Sequence, residues 1–165
     1  MFEGNISVVQ KAFIANPKWQ ALLTKNPLSE AMNPLYDLPG GPVSYSRGLR
    51  ESLINHVLEQ TGLTLTTISV PLNVITYLDI ANRTQQIVRI IYLCLATGEP
   101  TPGKDLIWVD SSHADQYAFP DEGYYKAFRS YQSHSRLSSE EFLGPGVLEH
   151  TMEYLRSQPQ SPFLE

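Results

Sequence analysis

LPGGPVSYSRGLRESLINHVLEQTGL, residues Leu38 to Leu63, carries the clearest structural pattern in the chain. Pro39, Gly40 and Gly41 end a strand and turn the backbone sharply. A helix is expected next, with Ser46 as its N-cap. Leu49, Leu53 and Val57 recur on one face of it, flanked by Ile54 and Leu58. Gly62 stands where a left-handed C-cap belongs, and Leu63 returns the chain to apolar strand. The stretch reads as strand, glycine loop, amphipathic helix and glycine stop.

On either side the pattern alternates between strands and helices. Ile6 to Ala15 is rich in β-branched and apolar residues, and Trp19 to Thr24 reads as the returning strand of a hairpin around Asn16-Pro17. Asn26 to Asp37 has little periodicity and reads as a loop, with Met32 and Tyr36 as possible pocket residues. Leu63 to Asp79 is extended, with Pro71 marking a break or a sheet edge. Gln85 to Thr97 is the strongest strand, apolar enough to be covered on both faces. Leu106 to Val109 is a short strand after a proline- and glycine-rich loop. Tyr124, Tyr125, Phe128 and Tyr131 recur at helical spacing, and Val147 to Arg156 reads as a last helix. Strands alternating with a few helices predict a mixed sheet covered on both faces. One domain over residues 1–156 and a tail over 157–165 are expected.

Composition narrows the function classes. The chain has 165 residues, 42% of them hydrophobic and 18% charged, with a net charge of −5. That balance disfavours nucleic acid and acidic membranes as partners. The longest apolar run, Ile87 to Ala96, is interrupted by Arg89 and too short to cross a bilayer. The single cysteine, Cys94, lies in that run and cannot form an internal disulfide. Together with an N-terminus lacking a signal-peptide pattern, it predicts a cytoplasmic protein.

The spacing of residues 41–63 resembles the Nudix box, G-x5-E-x7-R-E-U-x-E-E-x-G-U, of hydrolases that act on nucleoside diphosphates linked to another group. With its first glycine on Gly41, the frame fits without a gap. Val57, Glu59, Gly62 and Leu63 match. Arg47 stands where the first glutamate belongs and Asn55 where the arginine belongs, while His56 and Gln60 replace two further glutamates. Weaker similarities lie at Lys11 to Ile14, Leu35 to Gly41, Ile91 to Pro100 and Ile107 to Val109, so the resemblance spans roughly residues 5–132. It implies a Nudix-type α/β/α sandwich with a mixed β-sheet. It also implies in-line attack of water on a pyrophosphate, with magnesium held by helix glutamates and a glycine-loop carbonyl. Carried onto this chain, Glu59, Gly40 and Gln60 are the candidate metal ligands, and Glu59 and His56 the candidate catalytic residues.

Those residues are a poor set for that chemistry. Magnesium prefers several hard oxygen ligands in a tight octahedron, and here one carboxylate, Glu59, remains at the box positions. Losing a positioned general base alone costs ~10²–10⁴ in rate. Two readings follow. One is a binding or regulatory module with a decayed site, a pseudoenzyme that keeps a pocket for a small-molecule nucleotide-type ligand and uses no metal. The other is an atypical hydrolase using magnesium or manganese. In it, relocated acids such as Glu51, Asp121 or Glu122 would compensate, or His56 and Glu59 would bind zinc or manganese. The aromatic set is read as core or interface, a homodimer being one use of it.

Overall fold

The computed structural model describes residues 4–26 and 34–137. Its longest strands come from the segments richest in β-branched residues. These are β1 (Asn5–Ile14), β5 (Thr64–Leu78) and β6 (Gln85–Thr97), the last with the bounds expected from sequence. Short strands β2 (Gln20–Lys25), β3 (Tyr36–Asp37), β4 (Gly40–Pro42) and β7 (Leu106–Asp110) complete two sheets. One sheet has the order β4-β1-β6-β5, with β1 and β6 parallel and the other pairs antiparallel. The second, β3-β2-β7, is antiparallel throughout.

Side-chain alternation explains the layers. On β1, Ala12 and Ile14 join one core cluster while Phe13 joins another; on β2, Leu22 faces one way and Ala21 and Leu23 the other. The helix α1 (Leu49–Thr61) closes the first cluster with Leu53 and Val57. The helix α2 (Glu122–Leu137) closes the second with Tyr124, Phe128 and Tyr131. The result is the α/β/α sandwich with a mixed sheet. Phe128 and Tyr131 both pack on Phe13, so the aromatic spacing on α2 is core packing.

Several local expectations are corrected. The helix begins at Leu49 with Gly48 as N-cap and no side-chain cap, while Ser46 takes a left-handed φ of 68° in the preceding turn. Its buried stripe is Ser52, Leu53, Val57 and Thr61, and Leu49 is 52% exposed. The hairpin between β1 and β2 reduces to one bridge, Ala15 to Ala21. Asn16 Oδ1 accepts from the N–H groups of Lys18 and Gln20, so the turn uses donors that a ladder would need. Tyr36 is in a strand and not a loop. Pro71 does lie on an edge strand, with register shifts on both sides of it. Met32, the Val147 to Arg156 helix and the 157–165 tail lie outside the described residues.

Candidate functional site

The glycine strand and α1 are joined by three side chains. Gln60 Nε2 donates to the Gly40 carbonyl at 2.6 Å, and the Gly40 N–H donates to Gln60 Oε1 at 2.9 Å. His56 Nε2 lies 2.8 Å from the Pro42 carbonyl. A carbonyl only accepts, so the imidazole hydrogen is placed on Nε2. The Ser44 N–H donates to Ser52 Oγ at 3.3 Å. Residues 60, 56 and 52 thus meet 40, 42 and 44 in antiparallel order. The register closes because four residues of helix rise about 6 Å and two residues of strand about 6.6 Å. We call this arrangement the clasp.

The glycines make the approach possible. A Cβ on Gly40, whose φ is +147°, would lie 2.1 Å from the Gln10 carbonyl oxygen on β1. A Cβ on Gly41 would meet the His56 ring at 2.9 Å. Both glycines therefore let β4 sit between β1 and the helix.

The remaining candidates are dispersed. The Glu59 side chain is exposed, and its backbone carbonyl accepts from Lys104 Nζ. Glu51 and Glu122 are exposed, on α1 and at the start of α2. Asp121 is gripped by Arg89, whose Nη1 and Nη2 donate to its two oxygens at 2.6 and 2.7 Å. Among the described residues, no three His, Cys, Asp or Glu side chains converge as metal ligands. The set at the clasp, one exposed carboxylate with an imidazole and an amide already bonded to backbone, does not fit magnesium. Cys94 is buried, and burial pushes its thiol up to about 12, which leaves it inert as a nucleophile.

Sequence reasoning missed a second polar cluster, on the α2 side of the sheet. Asp37 accepts from Lys11 Nζ at 3.0 Å, from the Tyr124 hydroxyl at 2.6 Å and from the Leu38 N–H at 2.7 Å. The Arg89 guanidinium lies over the Tyr124 ring, 4.2 Å from its centroid. Arg89 holds the Asp121 carboxyl below its ordinary range, while burial and then Asp37 push the Tyr124 hydroxyl up. The available signal was Arg89 itself, a charge inside an otherwise apolar central strand.

A cleft of about 480 Å³ opens beside the clasp, lined by Lys11, Lys25, Asp37, Gly40, Gln60 and Lys104 among others. A neighbouring cavity of about 520 Å³ shares Lys11 and Asp37 with it and reaches Arg89, Asp121 and Tyr124.

No family model matches the sequence, and no curated protein does. Solved structures do. The E. coli ORF135 protein superposes with a TM-score of 0.66 at 15% identity, covering 88% of this chain and 98% of its own. A MutT protein from Methanosarcina mazei gives 0.63 at 18% identity, covering 82% and 99%. A Nudix hydrolase from Nitrosomonas europaea gives 0.61 at 14% identity, covering 79% and 90%. At such identities the likeness concerns the fold, and the fold is that of the Nudix hydrolases.

Proposed function

We propose that this Nudix-fold chain is a non-hydrolytic module that binds a nucleotide-type ligand in the cleft beside α1. The clasp is the observation that carries the reading. The resemblance assigns metal to the space between the helix and the glycine-strand carbonyl. Here Gln60 and His56 fill that role with neutral hydrogen bonds to Gly40 and Pro42. Two of the replaced box positions are thereby explained together. An amide and an imidazole can donate to a carbonyl, whereas a carboxylate there would face it with like partial charge unless a cation lay between them. With one carboxylate left at the box positions, Glu59, the helix supplies too little negative oxygen there to seat a divalent ion against a diphosphate.

The test is turnover. ADP-ribose, dinucleoside polyphosphates and nucleotide sugars are incubated with the protein in magnesium, manganese or chelator. The reading expects no metal-dependent phosphoanhydride cleavage and no difference between wild type and Glu59→Gln. Cleavage that needs metal and disappears in Glu59→Gln would make the chain an atypical hydrolase.

A further inference from the structure

The outer edge of β5 is open. This strand ends the order β4-β1-β6-β5, so one side of it pairs with β6 and the other with no described strand. Proteins usually guard such an edge with charge, proline or bulges. The two halves of β5 differ in this respect. The first half carries Pro71, with register shifts before and after it. From Asn73 to Leu78 the register with β6 is unbroken, and β5 holds no charged residue anywhere along its length. The exposed apolar side chains fall in this unguarded half. Val74 is 53% exposed and Leu78 60%, and Thr76 between them is exposed as well.

The last bond of the ladder shows which backbone groups point outward. The Asp79 N–H donates to the Gln85 carbonyl, in the register that sets Leu78 opposite Gln86. Antiparallel strands alternate, so Tyr77 and Ile75 also turn their N–H and C=O towards β6. Val74, Thr76 and Leu78 turn theirs to the open edge. An added antiparallel strand must therefore match outward residues with outward residues. A second β5, related by a twofold axis at Thr76, meets that condition. Val74 then lies opposite the partner's Leu78, Thr76 opposite the partner's Thr76, and Ile75 opposite the partner's Tyr77. The side chains agree with the backbone: two exposed aliphatics cover each other, threonine meets threonine, and a β-branched residue meets an aromatic ring. In a chain of net charge −5, this contact opposes no like charges.

From this self-complementarity we infer that the chain forms a homodimer by antiparallel pairing of β5 with β5 of a second copy, centred on Thr76. The pairing joins the two four-stranded sheets into one. The contact is isologous, since the same strip serves both partners, and it closes after two copies. It does not use the aromatic residues of α2, which pack on Phe13 in the core. Ile75 and Tyr77 also line the cavity of about 520 Å³ that reaches Arg89 and Tyr124, so the partner's β5 would run beside that cavity.

The experiment is sedimentation velocity of the full chain over a series of concentrations. The wild type is expected to reach twice the chain mass as concentration rises. Thr76→Pro gives up no bond to β6, because the Thr76 N–H points outward, yet it removes a donor at the twofold axis. Thr76→Lys sets two ammonium groups against each other at that axis. Both variants should sediment as monomers where the wild type is dimeric, while Thr76→Val should remain a dimer. Thr76→Cys reads the register. A hydrogen-bonded antiparallel pair has its Cα atoms about 5.5 Å apart, within disulfide range, so oxidation should link the two chains. The native Cys94 is buried and does not compete. Circular dichroism establishes that each variant is folded. A wild type that is monomeric throughout would overturn the dimer and leave the edge to a foreign strand or to residues 138–165. Dimers persisting in folded Thr76→Pro and Thr76→Lys, or a dimeric Thr76→Cys that does not cross-link, would overturn the pairing.

Discussion

Two polar regions flank β1 and hold their elements by different means. The clasp on α1 is neutral: an amide, an imidazole and a hydroxyl hydrogen-bonded to backbone at Gly40, Pro42 and Ser44. The cluster at the start of α2 is ionic, with Lys11 on Asp37 and Arg89 on Asp121, bridged by Tyr124. The difference shows where charge can be tolerated without a metal. Carboxylates persist where a guanidinium or ammonium answers them. At the box helix, where among the described residues no Lys or Arg side chain bonds the Gly40 or Pro42 carbonyl, neutral donors stand instead.

The comparison can be broken most violently at its geometric base. Gly40→Ala should cost about 4 kcal/mol or more, because the added Cβ lies 2.1 Å from a backbone oxygen of β1 and nothing flexible can yield. Chemical denaturation reads this, and a loss below about 1 kcal/mol would mean that β4 can move away from β1 without harm. On the ionic side, Asp121→Ala leaves the Arg89 guanidinium, 3% exposed, without its partner. Asp121 is itself 36% exposed, so water moderates the cost to about 2 kcal/mol. On the neutral side, His56→Ala should cost about 1 kcal/mol, the net worth of one hydrogen bond. An equal cost for the two variants would erase the distinction between the regions.

Acid sharpens the contrast further. Arg89 lowers the Asp121 pKa in the folded state, so the pair's contribution is complete above the unfolded value of about 3.9 and declines as pH falls through the lower folded value. Wild type should therefore lose stability below about pH 4 faster than Asp121→Ala does. Parallel losses in a pH series of denaturation curves would count against the assignment.

Much of the fold was legible in the sequence. The spacing of Gly41, Val57, Gly62 and Leu63 is geometric and survives the loss of chemistry, and Gly62 does close α1 with a φ of 80°. Gln85 to Thr97 declared itself by a run of β-branched and apolar residues interrupted only by Arg89 between Ile87 and Ala96. The clasp was not legible, because its partners are backbone groups of Gly40, Pro42 and Ser44, and a hydrogen bond to backbone leaves no trace in side-chain pattern. The resemblance marks Gln60 and Gly40 as metal ligands, and in the structure they bond each other. The Asp37–Tyr124 pair joins residues 87 positions apart, beyond any local periodicity. Ser46 is not the cap: it takes a left-handed φ of 68° in the turn before α1, and Gly48 stands at the N-cap.

The central claim is that side-chain donors at positions 56 and 60 stand where a metal would otherwise join helix to glycine strand. Thermal unfolding of wild type and of the double variant His56→Glu, Gln60→Glu, each in chelator and in millimolar magnesium, tests it most directly. The account predicts a wild-type midpoint indifferent to magnesium. The double variant should melt lower in chelator, with part of that loss recovered when magnesium is added, since an ion bound only by the folded state stabilises it. A wild-type midpoint that rises with magnesium, or a double variant as stable in chelator as the parent, would contradict it.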